Sequence, residues 1–169
     1  MNSIIIGIDP GANGAFAIRY QDGSSFAHRF TSDSDFLESM REIAEASDID
    51  NAEVTVYIEQ VGGFVGKAQP GSSMFNFGKN FGFQLGVCQA FSFRVELVRP
   101  QVWQKAYPTK TSKKENETQH KRELKDYAAR LFPKEKVTLA TADALLILDY
   151  ATKKERGLAC QKQERKQAY

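Results

Sequence analysis

The feature that most constrains this chain is the run Ile4-Ile5-Ile6-Gly7-Ile8-Asp9-Pro10-Gly11 near its start. A block of β-branched residues bounded by Pro-Gly reads as a buried central strand. Pro10 and Gly11 end the ladder, so one carboxylate, Asp9, stands at the rim of that strand. An acid in that position is costly unless something pairs with it. The rest of the chain must supply the partner.

A turn over 10–14 leads into strands over 15–20 and 25–31, joined at Gln21-Asp22-Gly23 as an antiparallel meander. Thr31-Ser32-Asp33-Ser34 offers N-cap chemistry for a helix over 35–46, with Phe36, Met40, Ile43 and Ala44 on one face. The strand Val54-Thr55-Val56-Tyr57-Ile58 follows and ends in a second acid, Glu59. A crossover helix makes this strand parallel to the first. Asp9 and Glu59 are therefore predicted at one edge of the sheet.

The glycine-rich stretch after Glu59 carries Phe64 and Lys67 but lacks the spacing of a phosphate-binding P-loop. A helix predicted over 72–91 sets Gly78, Gly82 and Gly86 on one face. Each glycine costs about 1 kcal/mol against alanine inside a helix. The row therefore implies close approach of another backbone, in the core or across a homodimer seam. Phe75, Phe83 and Phe91 read as core or interface. A strand over 93–98 closes at Arg99-Pro100, and Pro100 opens a short helix with Val102 and Trp103.

Residues 105–136 hold 10 Lys and Arg against 5 Asp and Glu. They read as a polar loop and an amphipathic helix with Leu124, Ala128 and Leu131 inward and Lys113, Lys114, Lys121, Arg122 and Lys125 outward. The last helix, predicted over 138–153, carries Asp143 among small and apolar residues. Residues 1–152 thus form one domain, and 153–169 form a frayed or disordered basic tail. His28 and His120 are assigned no role.

Charge is divided unevenly. Residues 1–64 hold 3 Lys and Arg against 11 Asp and Glu, whereas 65–169 hold 20 against 10. A basic second half is the electrostatic footprint of a polyanion partner. No apolar run approaches the roughly 20 residues of a membrane span, and no secretory leader pattern opens the chain. Cys88 and Cys160 lack metal-ligand spacing and read as free thiols. A soluble intracellular protein is expected, with no membrane contact.

Three acids now stand in order within Ile6-Gly7-Ile8-Asp9-Pro10-Gly11, Ile58-Glu59-Gln60-Val61 and Ala142-Asp143-Ala144-Leu145. The set resembles the RuvC family of Holliday-junction resolvases, over residues 1–152, with loops of a more divergent, phage-like type. The resemblance implies an α/β, ribonuclease-H-like fold with a five-stranded mixed sheet flanked by helices. It implies a cytoplasmic, Mg²⁺- or Mn²⁺-dependent endonuclease of a bacterial or phage-infected cell, resolving four-way DNA junctions by paired cleavage. Broader activity on branched DNA, or junction binding with weak catalysis, are the alternatives. Converging carboxylates repel one another, which independently favours a hard divalent cation as their partner.

By resemblance Asp9 bridges two metals, and Glu59 and Asp143 complete their shells. The helix over 72–91 forms a homodimer, and Phe64 is an aromatic wedge at the branch point. Lys67, Lys105, Lys110, Lys113, Lys114, Lys121 and Arg122 contact DNA, and one lysine neutralises charge in the transition state. One departure is plain. The family's fourth metal ligand lies three residues before the last acid, and here that residue is Ala140.

Overall fold

Period-two alternation along the first strand decides what each face of the sheet does. A computed structural model describes residues 2–11, 14–60 and 71–167, with side chains as far as residue 157. In β1 (Asn2–Asp9), Ile4, Ile6 and Ile8 are buried in one core, while Ile5 packs against the other. Gly7 and Asp9 share the parity of Ile5. The strands β2 (Ala15–Arg19), β3 (Ser25–Arg29), β4 (Ala52–Glu59) and β5 (Arg94–Val98) complete a sheet ordered β3-β2-β1-β4-β5. Strands β1 to β3 are antiparallel neighbours, and β4 runs parallel to both β1 and β5. This is the five-stranded mixed sheet the sequence predicts.

Helices α1 (Asp33–Asp50) and α2 (Gly71–Ala90) cover the first face. Phe36, Met40, Val87 and Cys88 meet the even-numbered isoleucines there, together with Val54, Val56 and Ile58 of β4. The side chain of Ser32 caps α1 by accepting from the Asp35 N–H, and Asn51, at φ 48, ends it in a left-handed turn. The other face is covered by α3 (Pro100–Trp103), α4 (Glu117–Leu131) and α5 (Ala142–Gln167). Trp103, Tyr107, Leu124, Ala128, Leu145 and Leu148 form its core with Tyr57 of β4.

Contact between α5 and β1 is backbone on backbone. A Cβ at Gly7 would lie 2.5 Å from the Leu148 nitrogen and 2.6 Å from the Ala144 oxygen. Only glycine permits that approach, and the approach brings the first turn of α5 to the end of β1. The helix begins at Ala142 rather than 138, because Thr138 and Thr141 cap it reciprocally. The Thr138 N–H donates to Thr141 Oγ1 at 3.0 Å, and the Thr141 N–H to Thr138 Oγ1 at 3.2 Å. It then continues unbroken past residue 153 to Gln167.

Two further details differ from expectation. Leu131, expected inward, is exposed, because α4 ends there and Phe132 takes the buried place. On α2, a Cβ at Gly78, Gly82 or Gly86 would meet nothing within 4 Å among the described residues. The glycine row therefore does not serve close packing within the described chain. Phe75, on the same helix, is 72% exposed. No helix among the described residues is long and apolar enough to cross a membrane.

Candidate active site

Register places the first two acids side by side. Ile8 of β1 pairs with Ile58 of β4, so Asp9 and Glu59 are the next residues of two adjacent parallel strands. Both have the parity that faces α5. Ladder pairing runs on through Glu59, opposite Val98, and the Gln60 N–H donates to the Val98 carbonyl at 2.8 Å. Beyond Asp9, the Gly14 N–H donates to the Gly11 carbonyl at 2.9 Å. A Cβ at Gly14 would stand 2.4 Å from the Asp9 carbonyl oxygen. Asp143, in the first turn of α5, is the third acid. All three are partly buried.

The acids lie near enough to act on one another's charge. Burial pushes the Asp9 carboxyl up to about 8, reinforced by the negative charges of Asp143 and Glu59. Burial likewise raises Glu59 to about 7, against the opposing pull of a hydrogen bond from Trp103. Asp143 is raised by burial, and the nearby charges of Lys121, Lys113 and His120 lower it. An acid cluster held above its usual range near neutral pH is a frustrated arrangement.

Trp103 is the support that sequence reasoning missed. Fully buried, it donates its indole Nε1–H to Glu59 Oε2 at 2.7 Å. That bond fixes the carboxylate and leaves Oε1 as the oxygen without this partner. The only signal in the sequence was an aromatic on the short helix after Pro100. His120 was also passed over. It is 8% exposed, on the inward face of α4 one turn before Leu124.

Among the basic residues expected on DNA, Lys105, Lys110, Lys113, Lys114, Lys121 and Arg122 are all exposed. Lys113 and Lys121 are near enough to lower Asp9 and Asp143, and Lys113 also lowers Glu59. Lys121 forms an ion pair with Glu117 at 3.1 Å. Phe64 and Lys67 lie outside the described residues.

Three carboxylates are donors of the kind a hard divalent cation takes, and a cation there would offset the burial and, beyond it, the mutual repulsion that raise Asp9. Among the described residues, however, no group of three or more His, Cys, Asp or Glu side chains is close enough together to hold a metal ion as it stands. Ala140 offers no donor. Asp149 is committed elsewhere: it accepts from the Tyr107 hydroxyl at 2.6 Å and pairs with Lys153 at 2.6 Å.

No family model and no curated protein matches the sequence. Solved structures do match. T. thermophilus RuvC in complex with a Holliday junction substrate aligns with a TM-score of 0.55 at 14% identity, covering 86% of this chain and 90% of that one. Another Thermus thermophilus RuvC structure aligns at 0.50 with 15% identity, over 86% and 90% of the two chains. The likeness is one of fold: this chain has the RuvC architecture.

Proposed function

We propose that this chain is a divalent-metal-dependent endonuclease of the RuvC type, acting as a homodimer on branched DNA and most specifically on four-way junctions. The observation that carries the reading is the meeting of Asp9, Glu59 and Asp143 at one edge of a RuvC-like sheet, each raised above its usual carboxylate range. Asp9, Glu59 and Asp143 would hold Mg²⁺ or Mn²⁺, two ions in each site. Such ions supply an activated water and charge stabilisation at the leaving oxygen in phosphodiester hydrolysis.

The chain's own residues prepare that chemistry. Trp103 orients Glu59 through the 2.7 Å bond. Gly7 lets α5 carry Asp143 against β1. Lys113 and Lys121 bring positive charge to the edge where a phosphate would sit, and one of them is suited to offset charge in the transition state. Lys105, Lys110, Lys114 and Arg122 extend that surface for backbone phosphates, a sequence-independent and salt-sensitive mode of contact. Phe64 and Lys67 keep their proposed places as branch-point wedge and phosphate contact.

Two features support the dimer. The open glycine face of α2 and exposed Phe75 leave a helix surface suited to a second copy. Cutting two opposed strands also takes two active sites. A second reading, junction binding with weak cleavage, is favoured by Ala140 and because no group of three or more His, Cys, Asp or Glu side chains among the described residues is close enough together to hold a metal ion.

The test is incubation with an end-labelled four-way junction, a flap and a linear duplex, each with Mg²⁺, Mn²⁺ or EDTA. Paired symmetric nicks on the junction, lost in EDTA, are expected. Metal-dependent cutting of all three substrates would instead indicate a broader nuclease. Tight junction binding without cutting would indicate the second reading.

A further inference from the structure

Residues 107–116 lead into α4 without belonging to a helix or strand, yet hydrogen bonds fix them along their length. At the start, the hydroxyl of buried Tyr107 donates to Asp149 of α5 at 2.6 Å. In the middle, the Tyr127 hydroxyl donates to the Pro108 carbonyl at 2.8 Å, and His120 Nδ1 lies 3.0 Å from the Thr111 carbonyl oxygen. At the end, the Asn116 N–H donates to the Ser112 carbonyl at 3.1 Å, and the Asn116 side chain caps α4.

Glu123, in the second turn of α4, gathers the most of these bonds. Its Oε2 accepts from the Lys110 N–H at 2.6 Å and the Thr111 N–H at 3.3 Å, and its Oε1 accepts from the Thr111 hydroxyl at 2.9 Å. Two backbone donors and one side-chain donor thus converge on one carboxylate. The segment it holds presents Lys110, Lys113 and Lys114, all exposed. None of the three forms an ion pair among the described residues. The charge of Glu123 opposes a polyanion approaching that surface. Its hydrogen bonds act the other way, by ordering the lysine-bearing backbone before anything binds.

We propose that Glu123 is a positioning residue for DNA: it fixes residues 110 and 111, and through them the turn carrying Lys113 and Lys114, in the conformation that meets backbone phosphates. Glu123 itself touches no DNA. The inference rests on the reading of this basic surface as the one that contacts DNA. A loop ordered in advance loses less conformational freedom on binding than one that the DNA must order. An acid within a cationic surface is then part of how that surface binds.

Two substitutions separate position from charge. Glu123→Gln and Glu123→Ala each remove one negative charge. Gln keeps an oxygen for the Lys110 and Thr111 N–H groups and an amide N–H for Thr111 Oγ1, whereas Ala keeps neither. Binding of the full chain to a labelled four-way junction is followed by fluorescence anisotropy in EDTA over a range of salt. Glu123→Gln should bind within about twofold of the parent, and Glu123→Ala about tenfold more weakly. Charge alone would leave both variants binding as tightly as the parent or more tightly. Parental affinity should fall steeply with salt; a parent that fails to bind, or whose affinity ignores salt, shows the basic-surface reading to be wrong. If parental binding is salt-sensitive and Glu123→Ala binds as Glu123→Gln does, only the role of Glu123 is wrong.

A measurement on the unaltered protein covers the case in which Glu123→Ala does not fold. Amide hydrogen exchange of the DNA-free chain should find the Lys110 and Thr111 N–H groups protected, and adding the junction in EDTA should change their rates little. Amides that exchange as in an unfolded chain until the junction is added overturn the proposal.

Discussion

On one face of β1 and β4, Ile4, Ile6, Ile8, Val54, Val56 and Ile58 pack against α1 and α2. On the other, the same two strands present Gly7, Asp9, Tyr57 and Glu59 to α3 and α5. Here polar side chains are tied one by one: Tyr57 donates to Glu155 at 2.6 Å, Trp103 to Glu59 at 2.7 Å and Tyr107 to Asp149 at 2.6 Å. Burial on the first face fixes the backbone, and pleat parity then delivers the carboxylates to the second. One face stores stability, and the other gives some up to hold three acids together. Substitutions on the two faces of β1 should therefore act in opposite directions.

The largest effect on stability is expected on the packing face. Ile6→Ala removes a fully buried side chain and should cost about 2–5 kcal/mol, read from the urea midpoint. Cleavage per folded molecule should stay close to the parent's. A loss of activity beyond the loss of folded protein would break the division between the faces.

Next comes pH. Asp9 and Glu59 are acids whose folded-state values, about 8 and about 7, lie above their ordinary ones. Between roughly pH 4 and 8 the folded state therefore binds more protons than the unfolded state, and stability falls as pH rises through that window. Metal-free protein should melt at a lower temperature at pH 8 than at pH 5, by several kcal/mol in stability. Added Mn²⁺ should reverse much of the loss. Asp9→Asn should flatten the profile and raise metal-free stability at pH 8 while abolishing cleavage. A metal-free protein that gains stability from pH 5 to 8 would contradict the crowded-acid picture.

Trp103→Phe keeps the ring in the core and deletes one donor. The cost should be about 1.5–3 kcal/mol, as for a hydrogen bond to a charged group. Without the bond, the Glu59 carboxyl should rise further, so the acid limb of the pH–rate profile should move to higher pH. An unchanged profile with reduced stability would reduce Trp103 to packing.

The smallest effect lies on α2. Gly82→Ala meets no obstruction in the described chain and should stabilise a monomer by up to about 1 kcal/mol. If that face meets a second copy closely, the gain seen in dilute protein should become a loss at high concentration. Melting curves over a hundredfold range of concentration give the answer.

The sequence made the strands, their pairing and the three acids legible for definite reasons. Ile4–Ile8 and Val54–Ile58 are apolar runs stopped at acids, and the helix between them forces parallel pairing. The structure places β1 and β4 in that pairing. Asp143 was visible because few residues near it are polar. What escaped depends on which side of a short or basic helix faces inward. Trp103 lies on a four-residue helix with no readable period. On α4, six polar residues surround His120, and its burial follows only from the docking of Leu124 and Ala128 on α5. Leu131 was misassigned because the helix ends before that face can be completed. The glycine row was legible as a close-contact surface, but its neighbour is not within the described chain.

The central claim is that Asp9, Glu59 and Asp143 hold the metal ions that cut a four-way junction. The most direct measurement sets the parent and Asp9→Asn side by side on one labelled junction, following binding and strand cleavage with Mn²⁺ and with EDTA. The account predicts paired symmetric nicks by the parent in Mn²⁺ alone, with Asp9→Asn binding the junction equally well and leaving it uncut. Cleavage that persists in EDTA, or in Asp9→Asn with Mn²⁺, would contradict it.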